Sequence, residues 1–239
     1  MDDRAAPLRT KRLWLIAFVV VGVARLVFVA IHVPVGSLIT TWLLAPLLAV
    51  WVWQVGRWWV LIVALLLCWV GDMLGNPRAI GLGPSALMFS VAAYVGATVC
   101  FFVSLMRVGA VRALRDVVQG RRWWMLGVTV LYVAVAAGVL VVAWGSLGPA
   151  FRAVAAGYFV LLIALAVTAL ALEGRTGAGA ALFFLTELLV ALEIAGRLDG
   201  TSTLFKLVTP TTYLLGILLI SIGSVSRRRD RQRHFVLRQ

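Results

Sequence analysis

The chain has 239 residues, 63% of them hydrophobic and only 13% charged, with a net charge of +13. Soluble domains are nearer half apolar and a quarter charged, so a water-surrounded globule is excluded and lipid must be the solvent. The basic residues fall in short runs between apolar stretches, the pattern of membrane topology rather than of a nucleic-acid-binding face.

In chain order, eight stretches are long enough to cross about 30 Å of hydrocarbon as helices. They are predicted near Leu13–Ile31, Leu38–Gln54, Trp58–Leu74, Pro84–Met106, Trp123–Ala143, Pro149–Leu172, Gly177–Ala195 and Leu207–Val225. Backbone groups in lipid must bond within their own segment, and the alternating pattern of a membrane barrel is absent, so the fold class is all-α. The expectation is a polytopic bundle of eight helices over 13–225. A cytoplasmic segment 1–12 precedes it and a basic cytoplasmic tail 226–239 follows. The first span is too long for a signal-peptide core and lacks a clear cleavage site, so it reads as a retained helix.

Lysine and arginine in the loops fix the expected orientation. Seventeen lie on the side of the termini and four on the other, with Arg25 inside a span. That split places both ends in the cytoplasm of a multi-pass cell-membrane protein. The pairs Trp58–Trp59 and Trp123–Trp124 are expected at the inner interface. The arginine-rich tail from Arg227 reads as an anchor to anionic lipid. Oligomeric state is not legible.

Ionisable residues inside a bilayer are expensive and are functional candidates by default. Arg25, Asp72, Glu187 and Glu193 are the four here. With odd-numbered spans running outward, Asp72 falls in the outer half, Glu187 near the middle and Arg25 slightly outside it. Ser37, Thr40, Thr41, Ser85, Ser90, Tyr94, Thr209, Thr211, Thr212 and Tyr213 share that half, and the inner half reads as almost bare of polar side chains. A polar cavity open outward, with Asp72 and Glu187 in one wet pocket, is therefore expected. For any single Ser or Thr, bonding its own helix backbone is the better explanation, but that does not cover the charges of Arg25, Asp72 and Glu187, which need partners. Glu193 stands four residues before Arg197, the spacing of a surface ion pair. His32, just before Pro34, reads as a loop residue. Pro46 and Pro210 interrupt two spans and free backbone carbonyls. Cys68 and Cys100 lie inside spans and, with His32 and His234, form no familiar metal pattern, so no metal and no cofactor are expected. Asp72 and Glu187 each sit on the third helix of a four-helix half, which points to two four-helix halves.

Three segments then carry a resemblance. They are Ala45-Pro46-Leu47-Leu48; Ala64 through Gly71-Asp72-Met73-Leu74, followed by Gly81-Leu82-Gly83; and Gly179 through Thr186-Glu187, followed by Thr211-Thr212-Tyr213-Leu214. In order and spacing the chain resembles the YhhN-like family of eight-span membrane proteins, which includes the lysoplasmalogenases. The resemblance implies hydrolysis of the vinyl-ether bond of a lysoplasmalogen, a lysophospholipid-type membrane lipid. The family usually has Lys-Pro at Ala45-Pro46 and Ser-Asp at Thr186-Glu187. It usually has a histidine at Ala93, where this chain has Tyr94 next in line.

The residues fit that chemistry on their own terms. A vinyl ether is hydrolysed by protonation at carbon and attack of water on the oxocarbenium ion, which takes one protonated acid and one group that holds water. Asp72 and Glu187 are the expected catalytic pair, with Glu187 the acid because it lies deeper. Arg25, Tyr94, Thr186 and Tyr213 are the expected substrate contacts, Arg25 as a fork of donors for a lipid phosphate. The competing reading is non-enzymatic: a lipid-binding or small-molecule transport bundle that uses the same charges. In a third, structural reading Arg25 only neutralises the acids.

Overall fold

The computed structural model describes residues 6–75, 85–120, 122–146 and 148–236. Arg78, Gly81-Leu82-Gly83, Pro84, Arg121 and Arg238 lie outside the described residues, as do the side chains of Ser85 and His234. Among the described residues there are nine α-helices and no strand: α1 (Ala6–Ala30), α2 (Pro34–Gly56), α3 (Trp59–Leu74), α4 (Ser85–Leu105), α5 (Val111–Val118), α6 (Trp124–Ala143), α7 (Pro149–Leu172), α8 (Gly174–Ile194) and α9 (Thr203–Val236). Among the described residues seven apolar helical stretches are long enough to cross a membrane, and α3 is a shorter apolar helix of 16 residues. The protein is thus a polytopic membrane bundle. The eight expected spans correspond to α1–α4 and α6–α9.

The chain forms two compact units, residues 1–101 and 102–239. The division falls inside α4 rather than in the loop after it.

In the first unit α1 packs on α2 and α2 on α3. The outer stripe of α1 is Leu13, Ile16, Val20, Val23 and Val27, all exposed, at the spacing of one helix face. Phe18 and Gly22 are buried on the opposite face, and Arg25 follows them at the same spacing. Arg25 therefore looks toward the packed side of α1, not toward lipid. Close approach of α1 and α2 depends on Gly36, where a Cβ would meet the Phe28 ring at 2.8 Å. The turn from α2 to α3 puts Arg57 in the left-handed region (φ 46°), with its N–H donating to the Trp53 carbonyl. There Trp53 and Trp59 meet edge to face, centroids 4.5 Å apart. Trp59 is exposed, as expected of an interfacial ring, but Trp58 is buried in the packing. The adjacent rings belong to the end of a turn and the start of a helix, so they face opposite ways.

In the second unit the five-arginine stretch, expected as a loop, is mostly helix. After Leu105 one wide turn, Met106–Ala110, bends the chain at Gly109 (φ 109°) into α5. Helix α5 is amphipathic: Val117 joins Met125 and Ala171 in a small core, with Leu114 against it. Its charged residues alternate with that apolar stripe, which hid an eight-residue helix among loop-like charges.

A sharp junction, the single extended residue Glu173, joins α7 to α8. Two basic residues close the open end of α7. Arg122 Nη1 donates to the Ala171 carbonyl at 2.7 Å. Arg227 donates to the Leu172 carbonyl and pairs with Glu173 at 3.2 Å. Cations at a helix C-terminus satisfy its unpaired carbonyls and its dipole. Helices α8 and α9 then run antiparallel at backbone contact. A Cβ on Gly179 would lie 2.7 Å from the Ile220 nitrogen, and one on Gly216 would lie 2.9 Å from the Phe183 nitrogen. Small residues of this kind let membrane helices approach closely. Ser202, just before α9, caps its start: the Ser202 Oγ accepts from the Phe205 N–H at 3.3 Å. The helix passes Pro210 and continues without a break through the basic segment to Val236. Arginine is a good helix former, so the expected tail from 226 extends the last span as helix. Neither Pro46 nor Pro210 ends its helix.

Candidate functional site

Asp72 lies two residues before the end of α3 and is half-buried. The preceding Gly71 is what allows its partner to reach it. A Cβ there would sit 2.8 Å from the Tyr94 ring. With hydrogen in that place, the tyrosine of α4 lies flat across the α3 backbone, and its hydroxyl donates to Asp72 Oδ1 at 2.5 Å. That is the short end of hydroxyl–carboxylate hydrogen bonds. One turn earlier on α4, the buried Ser90 hydroxyl donates to the Gly71 carbonyl at 2.8 Å. Two side chains of α4 thus grip one Gly-Asp step of α3. Tyr94, expected to touch substrate, is in the first place the hydroxyl that holds Asp72.

Two positions at which the resemblance implies a lysine and a histidine are apolar and enclosed. Ala45 is 0% exposed and Ala93 8%. Neither position carries an ionisable or hydrogen-bonding side chain. The threonines at the same end of α2 bond their own helix. Thr40 donates to the Gly36 carbonyl at 2.7 Å and Thr41 to the Ser37 carbonyl at 2.7 Å. His32 is a turn residue (φ 59°) whose Nδ1 lies 3.0 Å from the Ala30 carbonyl.

In the second unit Glu187 is half-buried on α8, one residue past the interhelical contact. The Thr186 and Thr212 hydroxyls lie 2.8 Å apart, one donating to the other, while the other donates to a carbonyl of its own helix 3.0 Å away. Tyr213 is buried against Phe183, centroids 6.2 Å apart. Thr186 and Tyr213 therefore fix the α8–α9 pair that carries Glu187.

Glu193 does not pair with Arg197. Gly196 (φ 68°) ends the helix, and the carboxylate lies against Gly200, where a Cβ would meet its Oε1 at 2.0 Å. Helical spacing holds only while the helix lasts, and here it stops at Ile194. In the following loop, Asp199 Oδ1 accepts from the Thr201 N–H at 2.8 Å and hydroxyl at 2.6 Å. Those two bonds hold its carboxyl below the usual aspartate value.

The opposite end of the second unit is not bare. Ser104, Thr176, Ser221 and Ser224 are all buried there, with no hydrogen-bond partner among the described residues. Thr176 sits in the first turn of α8, packed on Gly223. It has no preceding helical turn to bond. The sequence reading also missed two tryptophans within spans, Trp42 and Trp69. Their indole nitrogens are shut away from solvent and meet no acceptor among the described residues. Their mid-span position was the available signal, because tryptophan in membranes ordinarily sits at the wet interface. Among the described residues no group of three or more His, Cys, Asp or Glu side chains could hold a metal ion.

A model of the YhhN family matches residues 36–224, from the first turn of α2 to Ser224 within α9. The chain belongs to the YhhN family. The match takes in Trp42, Trp69, Asp72, Tyr94, Thr186, Glu187 and Tyr213, and leaves out α1 with Arg25. No curated protein and no solved structure matches the chain.

Proposed function

We propose that this YhhN-family protein hydrolyses the vinyl-ether bond of a lysoplasmalogen-type lipid. The observation that carries the reading is the Asp72–Tyr94 pair, a carboxylate fixed by a hydroxyl inside a membrane bundle. Glu187 supplies a proton to the β-carbon of the vinyl ether. The double bond becomes an oxocarbenium ion stabilised by the ether oxygen. Asp72, kept as acceptor by Tyr94, holds the water that attacks and takes its proton. The hemiacetal then collapses to a fatty aldehyde and a glycerophospho head group with a free hydroxyl. One water is consumed and the two carboxyl groups exchange one proton, which returns through solvent.

The test is aldehyde release from lysoplasmalogen by the purified protein in detergent. Asp72→Asn and Glu187→Gln should each reduce it at least about 100-fold, the scale of a lost general acid or base. The double variant should be little worse than either single one, since members of one catalytic unit are not additive. Full turnover in either single variant removes the assignment.

A second reading, lipid binding without turnover, is favoured by the buried alanines at 45 and 93. It predicts saturable lysolipid binding with no aldehyde. In both readings the termini are cytoplasmic and the basic helices lie against anionic lipid. A green fluorescent protein fused after Gln239 should therefore fluoresce, whereas an alkaline phosphatase there should be silent.

A further inference from the structure

The two half-buried indoles of the first unit whose nitrogens are shut away from solvent fall at one level. Trp42 lies eleven residues before Trp53, and Trp69 ten residues after Trp59. Trp53 and Trp59 touch at the turn between α2 and α3. Measured from that contact, both indoles are about 15 Å along their antiparallel helices. Eleven residues is close to three full turns, so Trp42 shares the α2 face of Trp53, which touches α3. On α3, Leu65, Trp69 and Asp72 form one stripe at helical spacing, and Leu65 is fully buried. Trp69 is thus on the Asp72 side of its helix.

Arg25 completes the level. The contact of Gly36 with Phe28 registers α1 against α2. Arg25 is three residues deeper than Phe28, and Trp42 six deeper than Gly36, a difference of about one turn. An indole N–H is a donor with no acceptor capacity. Two such N–H groups hidden from water, with a guanidinium at about the same depth on the neighbouring helix, call for a group that accepts several hydrogen bonds and carries negative charge. We infer that Trp42, Trp69 and Arg25 form an oxyanion site that takes a phosphate group. It rests on the reading above only for the choice of a lysolipid as the source of that phosphate.

The test follows the indole N–H resonances of the full chain, labelled with 15N-tryptophan, in detergent micelles. Trp42→Phe and Trp69→Phe identify the two signals by their loss. The probe is a saturated 1-O-alkyl lysophosphatidylcholine, which lacks the double bond that hydrolysis requires, so binding is read apart from turnover. Both signals should move downfield as the probe is added, and either substitution should weaken binding about tenfold. A 1-O-alkylglycerol of the same chain length should leave both signals in place. Movement with the lysolipid alone assigns a head-group site. Movement with inorganic phosphate as well assigns a general phosphate site, and both support the inference. Equal movement with the alkylglycerol, or no movement with any probe, overturns it. If a phenylalanine variant does not fold, β-(3-benzothienyl)alanine at the same position keeps the shape and removes only the N–H.

Discussion

The α3–α4 and α8–α9 contacts both depend on glycine, yet they hold different things. At Gly179 and Gly216 the missing side chains admit the partner backbone itself. At Gly71 the missing side chain admits a tyrosine ring, and behind that ring comes a hydroxyl aimed at a carboxylate. The first contact is a weld, made of main chain on main chain. The second is a mount for a polar group. A small residue in a membrane helix therefore says that something comes close, and only its neighbour says what.

Substitutions at these glycines test the difference. Gly179→Val should have the largest effect on stability, because the atoms in the way are backbone and cannot swing aside. A cost of about 3 kcal/mol is expected, the upper range for overpacking, read as a lower thermal midpoint in detergent. Gly71→Ala should cost less, about 1–2 kcal/mol, since a flexible ring can move. Its aldehyde release should nevertheless fall at least as far as in Tyr94→Phe, which keeps the ring and loses only the hydroxyl. For Tyr94→Phe a tenfold loss is expected, about 1.4 kcal/mol for one hydrogen bond to a carboxylate. If Gly71→Ala turned over normally while Gly179→Val abolished turnover, the contrast between mount and weld would be reversed.

The smallest expected effect lies outside the spans. Two hydrogen bonds from Thr201 lower the titration of Asp199. The folded value lies below the unfolded one, so what this turn contributes is present above the unfolded value and is lost as pH falls through the folded one. Thr201→Ala should move the Asp199 carboxyl resonance back up toward the ordinary aspartate midpoint, with turnover near neutral pH unchanged.

The eight apolar spans were legible to within a few residues at most ends, because hydrocarbon demands one thing of every position. Helix α5 was not, since eight residues with interleaved arginines present too short a stripe to outweigh their charge. The Gly-Asp step was legible as a motif, whereas its tyrosine was legible as an outer-half polar residue and a substrate contact, not as the partner of Asp72. No spacing rule within one helix tells which side chain of the next will lie across it. The same limit hid the roles of Arg122 and Arg227. Counting charges placed Arg122 in a basic loop and Arg227 in the basic tail, but their work at the end of α7 depends on an open helix end brought near by folding. Glu193 failed for the opposite reason, because a rule valid inside a helix was carried past its last turn.

Sixteen residues of α3 span only about 24 Å, several ångströms less than the hydrocarbon of an ordinary bilayer. Its Val63, Leu66 and Val70 are exposed along one stripe, so acyl chains meet the short helix directly. Thinning of the bilayer is one way such a mismatch is met, and at the C-terminal end of α3 it would fall beside Asp72, two residues from the helix end. Such thinning would bring head groups and their water toward the carboxylate. A thicker bilayer would hinder that descent, which makes acyl-chain length in reconstituted vesicles a direct control on how readily this side chain meets its surroundings.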